Sequence, residues 1–136
     1  MSDELLGQAP LDHVGVAAPT HDLRFATLLG NHGETRVMPS GVEIARFGFD
    51  ERFELVVPGR PGTPVDRFLE RRGSGLHHVA LAIYEPLATV VDRLRAAGIE
   101  TAGPIEPSSD ARPSVFLHPS STGGFLVELV EGERTA

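Results

Sequence analysis

The sequence contains no cysteine. Disulfides and thiolate metal ligands are therefore excluded, and cysteine usage says nothing about the redox compartment. No apolar run approaches the ~20 residues of a membrane span. The start, Met1-Ser2-Asp3-Glu4, is acidic and lacks a basic segment, so no signal peptide is expected and a cytoplasmic location is the default. Positive charge is scarce: 12 Lys and Arg stand against 19 Asp and Glu, a formal net charge of −7. Nucleic acid and anionic membrane surfaces are disfavoured as partners, because both are held by clustered basic residues. An anionic small ligand is not disfavoured, since a metal ion and a few local arginines reverse the sign inside a pocket.

What remains is an ordinary globular composition, 40% hydrophobic and 23% charged over 136 residues. A chain of this length buries roughly two-thirds of its unfolded surface, enough for one domain or a tightly paired double domain. The strongest pattern is an internal duplication. Leu11-Asp12-His13-Val14-Gly15-Val16-Ala17 overlays Leu76-His77-His78-Val79-Ala80-Leu81-Ala82, and Phe53-Glu54-Leu55-Val56 overlays Val127-Glu128-Leu129-Val130. Each half opens on a strand with a histidine and closes on a strand with a glutamate.

Residues 1–10 read as a loose tail. A strand is expected over 11–18, then a turn at Pro19-Thr20-His21-Asp22 whose Thr20 or Asp22 caps a helix ending at Gly30-Asn31-His32-Gly33. Strands follow at about 34–38, 42–48 and 52–57. Residues 58–75 form a linker, with one or two helical turns carried by Val65, Phe68 and Leu69. The second half repeats the order: a strand over 76–83, a helix from Glu85-Pro86 to Ala97-Gly98 with Leu87, Val90, Val91 and Leu94 as its apolar face, then strands near 99–102, 113–118 and 124–130. Glu131-Gly132-Glu133-Arg134 is expected to be disordered. The class is α+β, two tandem βαβββ modules at 11–57 and 76–130 making one domain.

Side chains alternate along a strand, so His13 shares a face with Gly15 and His78 with Ala80, which leaves space beyond each imidazole. His77 points the other way. Glu54 and Glu128 lie inside otherwise apolar strands, where a buried carboxylate needs a partner. Imidazole nitrogen and carboxylate oxygen together suit a borderline divalent metal, and His13, Glu54, His78 and Glu128 leave two positions open on a six-coordinate ion. Singly, each residue is more simply a hydrogen-bonded or solvent-facing side chain; the recurrence of both pairs at equivalent positions carries the metal reading. His21 and His32 lie in turns and are expected to be non-ligands, and His118 is the candidate for a pocket role.

These residues resemble the vicinal oxygen chelate superfamily, and within it the methylmalonyl-CoA epimerases. The matching stretches are Asp12-His13-Val14-Gly15-Val16-Ala17, the run from Val65 through Arg71-Arg72-Gly73-Ser74-Gly75 to His77-His78-Val79-Ala80, and the run Phe116-Leu117-His118-Pro119-Ser120-Ser121-Thr122-Gly123-Gly124 leading to Glu128. The resemblance covers nearly all of residues 11–130. It implies a cup-shaped mixed sheet around one divalent ion (cobalt, manganese, zinc or nickel) held by His13, Glu54, His78 and Glu128. It implies interconversion of (R)- and (S)-methylmalonyl-CoA, or a close acyl analogue, by removal and return of the α-proton, with Glu43 as one base and Glu128 as ligand and second base. It also implies an acyl-CoA partner and a homodimer. Arg60, Arg72 and Arg112 are candidates for CoA phosphates, with a solvated surface role the simpler expectation. The alternatives are a glyoxalase I-like lactoylglutathione lyase, an iron dioxygenase, a drug-binding module of the same fold, and a related isomerase of secondary metabolism.

Overall fold

The computed structural model describes residues 5–30 and 33–133; the acidic start Met1–Glu4, the turn residues Asn31 and His32, and Arg134 lie outside the described residues. The chain divides into two compact units, one from His13 to His77 and the other from His78 onward together with the residues preceding His13.

The first half runs β1 (Leu11–Ala17), α1 (Arg24–Leu29), β2 (Arg36–Val37), β3 (Glu43–Phe47), β4 (Phe53–Val57) and α2 (Pro64–Arg72). Its strands lie in the order β2-β3-β4-β1, with β1 parallel to β4 and the remaining pairs antiparallel. Alternation divides the sheet into two faces. Val16, Phe47, Leu55 and Val57 pack beneath Ala26 of α1. Phe25 of α1 meets the rings of Phe47 and Phe53 edge-on, at centroid distances of 5.6 and 5.1 Å. The opposite face carries His13, Gly15 and Ala17 on β1, Glu54 and Val56 on β4, and Ile44 and Arg46 on β3, as the register Gly15↔Glu54 and Arg46↔Glu54 requires. Val65, Phe68 and Leu69 of α2 cover the Ala17, Ile44 and Val56 end of that face.

The linker helix is longer than expected, nine residues. It is well started: Pro64 occupies the first turn, and the Thr63 hydroxyl accepts from the Asp66 N–H. Before it, the backbone passes so close to the β2–β3 turn that a Cβ on Gly59 would lie 2.0 Å from the Gly41 carbonyl oxygen, and Gly59 has φ +72°. Only glycine fits there.

The second half repeats the plan: β5 (Gly75–Ile83), α3 (Leu87–Ala96), β6 (Glu106–Pro107), β7 (Pro113–Leu117) and β8 (Val127–Glu131), ordered β5-β8-β7-β6 with β5 parallel to β8. Leu87, Val90, Val91 and Leu94 of α3 pack on Ile83, Val115, Leu117 and Leu129. Each of these side chains contributes about 1.5–3 kcal/mol by leaving water.

Several expectations need correction. Residues 5–10 are not a loose tail: Leu5, Leu6 and Ala9 pack on the α3 core, and the Pro10 carbonyl accepts from Ala82 N–H at 2.8 Å. Neither Thr20 nor Asp22 caps α1; Leu23 stands at its start with no side-chain cap bond. No strand forms over 99–102, where Gly98 and Gly103-Pro104 leave room only for an isolated bridge from Thr101 to Leu117; β6 comes later, at Glu106–Pro107. Nor is the stretch after Val130 loose. The Glu131 carboxylate accepts from the Leu87 N–H at 2.7 Å, capping α3, and the Tyr84 hydroxyl donates to Glu133. No described helix is long and apolar enough to cross a membrane.

Candidate functional site

The duplicated strands place one His–Glu pair in each half. In the first, His13 on β1 and Glu54 on β4 are buried, and Nε2 lies 3.7 Å from Oε2. In the second, His78 on β5 and Glu128 on β8 are buried, and Nε2 lies 3.5 Å from Oε1. The register explains both pairs. Gly15 stands beside Glu54 and Ala80 beside Glu128, so each glutamate lies one step along a parallel neighbour from its histidine, on the same face. The small residues Gly15 and Ala80 leave the space that the imidazoles and carboxylates fill.

The donor chemistry fits a metal. Two ligand atoms each ~2.0–2.2 Å from one ion stand about 3–3.6 Å apart at tetrahedral or right angles. The His–Glu separations are at or just beyond that range and longer than an ordinary N–H···O bond. His78 and Glu128 in one unit, and His13 and Glu54 in the other, are buried donors of the kinds a borderline divalent ion takes.

No protein-family model matches the chain. Among curated proteins, the ethylmalonyl-CoA/methylmalonyl-CoA epimerase of Cereibacter sphaeroides is 34% identical over 128 residues, covering 88% of this chain and 95% of the relative. This chain belongs to the methylmalonyl-CoA epimerase family. A solved methylmalonyl-CoA epimerase of Mycobacterium tuberculosis superposes with a TM-score of 0.83 at 24% identity, over 98% of this chain and 93% of that one. An epimerase solved in complex with methylmalonyl-CoA and ammonium matches with a TM-score of 0.79 at 25% identity, over 93% of this chain and 96% of that one. The glyoxalase-like fold of the family, built from paired βαβββ modules, is therefore the fold of this chain.

Against that epimerase framework the other sequence candidates fall as follows. Glu43 does not join His13 and Glu54. Its strand partner is Val57, on the α1 face, so alternation turns it away from the face that carries His13 and Glu54. There its Oε1 pairs with His21 Nε2 at 2.8 Å, in an open groove of about 710 Å³ that Thr20, Arg60, Leu69 and Glu70 also line. His118 is exposed and spends its Nδ1 accepting from the Ser120 N–H, which starts the short turn Pro119–Ser121. His77 is turned away as expected and meets the ring of Phe68 edge-on.

Arg112 has no solvated surface role. Its guanidinium makes two 2.9 Å bonds to Asp12, a third to Asp110 and a fourth to the Gly132 carbonyl. Burial alone would lower the Arg112 pKa, but the bonds to Asp12 and Asp110 outweigh it and raise the value. Burial would likewise raise Asp110, and Arg112 and Ser108 outweigh it, holding that carboxyl below its ordinary range.

Reasoning from sequence missed Arg46. Its Nε lies 3.3 Å from Glu54 Oε2, and its Nη1 donates to the Glu51 carbonyl at 3.4 Å. The signal was the hairpin register. With Phe47 opposite Phe53 across the Gly48–Arg52 turn, one step back sets Arg46 opposite Glu54.

Proposed function

We propose that this chain is a metal-dependent epimerase that interconverts the two configurations at the α-carbon of methylmalonyl-CoA or a close acyl analogue. The observation that carries the reading is the buried His–Glu pair in each half of a chain 34% identical to an ethylmalonyl-CoA/methylmalonyl-CoA epimerase over 95% of that protein. His13, Glu54, His78 and Glu128 would hold one divalent ion, which supplies Lewis-acid stabilisation of the enolate oxygen. The residues themselves do the rest. A proton α to a thioester is weakly acidic, so its acceptor must be positioned and sheltered from water. Glu128 is buried on the central strand β8, with His78 at 3.5 Å and the Phe116 ring across from it, and we assign it that proton. His13 and His78, fixed on strands rather than loops, hold the geometry constant as the proton moves. A homodimer and a cytoplasmic location belong to the same proposal. Sedimentation tests the first, and fractionation of the source cells the second.

The test is α-proton exchange in heavy water. The Co(II)- or Mn(II)-loaded protein and methylmalonyl-CoA are followed by NMR beside a Glu128→Ala variant. Exchange that is fast with the parent and lost in the variant is the expected result. Absence of exchange with metal demonstrably bound would discard this substrate.

A further inference from the structure

In the second half an aromatic ring reaches the buried His–Glu pair from two strands away. β5 and β7 flank β8. Neighbouring strands lie about 4.8 Å apart, so His78 and Phe116 are rooted on strands about 9.6 Å from each other. Their ring centroids are nevertheless 5.6 Å apart, at an interplanar angle of 84°. The two rings therefore lean toward each other across β8. Phe116 is directly opposite Glu128, and residues so placed have Cβ atoms about 4.5–5.5 Å apart, so the ring passes beside the Glu128 side chain on its way. The root of that ring is held from both sides. β8 pairs along one edge of β7, and on the other the Ala102 N–H donates to the Phe116 carbonyl at 2.7 Å. The position equivalent to Phe116 in the first half, across from Glu54, is Arg46, so the ring is a feature of this half and not of the repeat.

We infer that Phe116 is a positioning residue: its ring fixes the plane of the His78 imidazole, and so keeps Nε2 turned toward Glu128. This rests on the assignment of His78 and Glu128 as ligands proposed above. Strand pairing sets where the His78 side chain starts, not how its ring turns. Rotation of an imidazole about Cβ–Cγ is broad, without the narrow staggered wells of an aliphatic side chain. Ala80, next on the same face of β5, is only a methyl group and leaves the ring room to turn. The 3.5 Å approach to Glu128 is longer than an ordinary hydrogen bond and is a weak guide to the plane. An edge-to-face contact between rings has a preferred angle, which an aliphatic side chain of similar bulk does not impose. With Phe116 in place, the imidazole is already oriented before any ion arrives. A leucine there would fill the space and leave the plane of the imidazole unset.

The experiment uses full-length protein in two states, metal-free and titrated with Co(II). Parent, Phe116→Tyr and Phe116→Leu are compared, with Val90→Ala as a control that loosens the α3 core on the opposite face of the sheet. NMR of the metal-free proteins follows the His78 ring protons, identified by their loss in His78→Gln, and their nuclear Overhauser contacts to the Glu128 side chain. Calorimetry gives the Co(II) affinity and the melting temperature. In Phe116→Leu the His78 resonances should broaden or split, its contacts to Glu128 should weaken, and Co(II) should bind about tenfold more weakly. Phe116→Tyr should restore all three. Val90→Ala should lower the melting temperature and leave the His78 ring signals and the Co(II) affinity as in the parent. Unchanged His78 signals in Phe116→Leu would overturn the inference, as would equal changes in Val90→Ala. If the parent takes up no Co(II), the ligand assignment fails, and the metal-free spectra still decide whether Phe116 orients His78. If Phe116→Leu does not fold, Phe116→Met replaces it in the same comparison.

Discussion

The two halves repeat each other closely enough that their chemical differences stand out. His13 corresponds to His78, Gly15 to Ala80 and Glu54 to Glu128, and each glutamate sits beside its histidine on a parallel strand pair. On the antiparallel side the correspondence breaks. Arg46 stands across from Glu54, whereas Phe116 stands across from Glu128 and meets the His78 ring edge-on at 5.6 Å. A guanidinium fixes a carboxylate in place; an aromatic ring offers it no hydrogen-bond donor. Duplication produced two equivalent pairs, and at a single cross-strand position an arginine stands beside one carboxylate and a phenylalanine beside the other; in the proposed function the first is held and the second takes the proton.

This comparison can be broken most sharply at the glutamates. Glu128→Gln should reduce α-proton exchange by about 10²–10⁴-fold, the range of a lost acid–base group. Glu54→Gln should cost far less, about 10–100-fold, through metal affinity that calorimetry reads independently. Equal losses in exchange at unchanged metal content would erase the proposed division of labour. A subtler probe copies the first half onto the second. Phe116→Arg places a cation across from Glu128 and should slow exchange by about tenfold or more, with Co(II) still bound, as NMR and calorimetry would show.

The halves differ in a second place. Arg112 precedes β7 and clamps Asp12, Asp110 and the Gly132 carbonyl; Val42 holds the corresponding position before β3. Removing one partner of such a buried pair typically costs about 3–5 kcal/mol. Arg112→Met should therefore lower the melting temperature by about ten degrees or more in a calorimetric scan. The smallest effect is on acid sensitivity. Asp110 has a pKa below its ordinary 3.8, so its contribution is present at neutral pH and is lost as pH falls through the folded-state value. Asp110→Asn should flatten the fall of the melting temperature below about pH 4, and an unchanged slope would show that other carboxyls control acid unfolding.

How much of this was legible in the sequence follows from the kind of signal each element carries. The order strand, helix, three strands in each half was readable because the duplication supplied two copies of every hint, and β1, β5 and α3 fall nearly where periodicity places them. The His–Glu pairs were readable for the same reason. The strand expected at 99–102 failed because Gly98, Gly103 and Pro104 override a short apolar run. The two ends of the described chain were misread because their anchors are remote in sequence: Arg93 reaches the Leu5 carbonyl, and Glu131 reaches the Leu87 amide. Glu43 could not be assigned a face until the β3–β4 register was known. Arg46 is the same case with the opposite outcome.

The placement of the histidines and glutamates on adjoining strands also bears on how such a protein changes over generations. The strands that present them are held by backbone pairing and by the apolar face beneath the helices, neither of which depends on the intervening turns. Changes in the connection at 119–125 can therefore accumulate without moving a donor atom, whereas the turns at 38–42 and 48–52 are held by the approach of Gly59 to Gly41 and by the bond from Arg46 to the Glu51 carbonyl. A lineage built this way can explore new acyl groups by trial at its edges while inheriting its reactive centre intact.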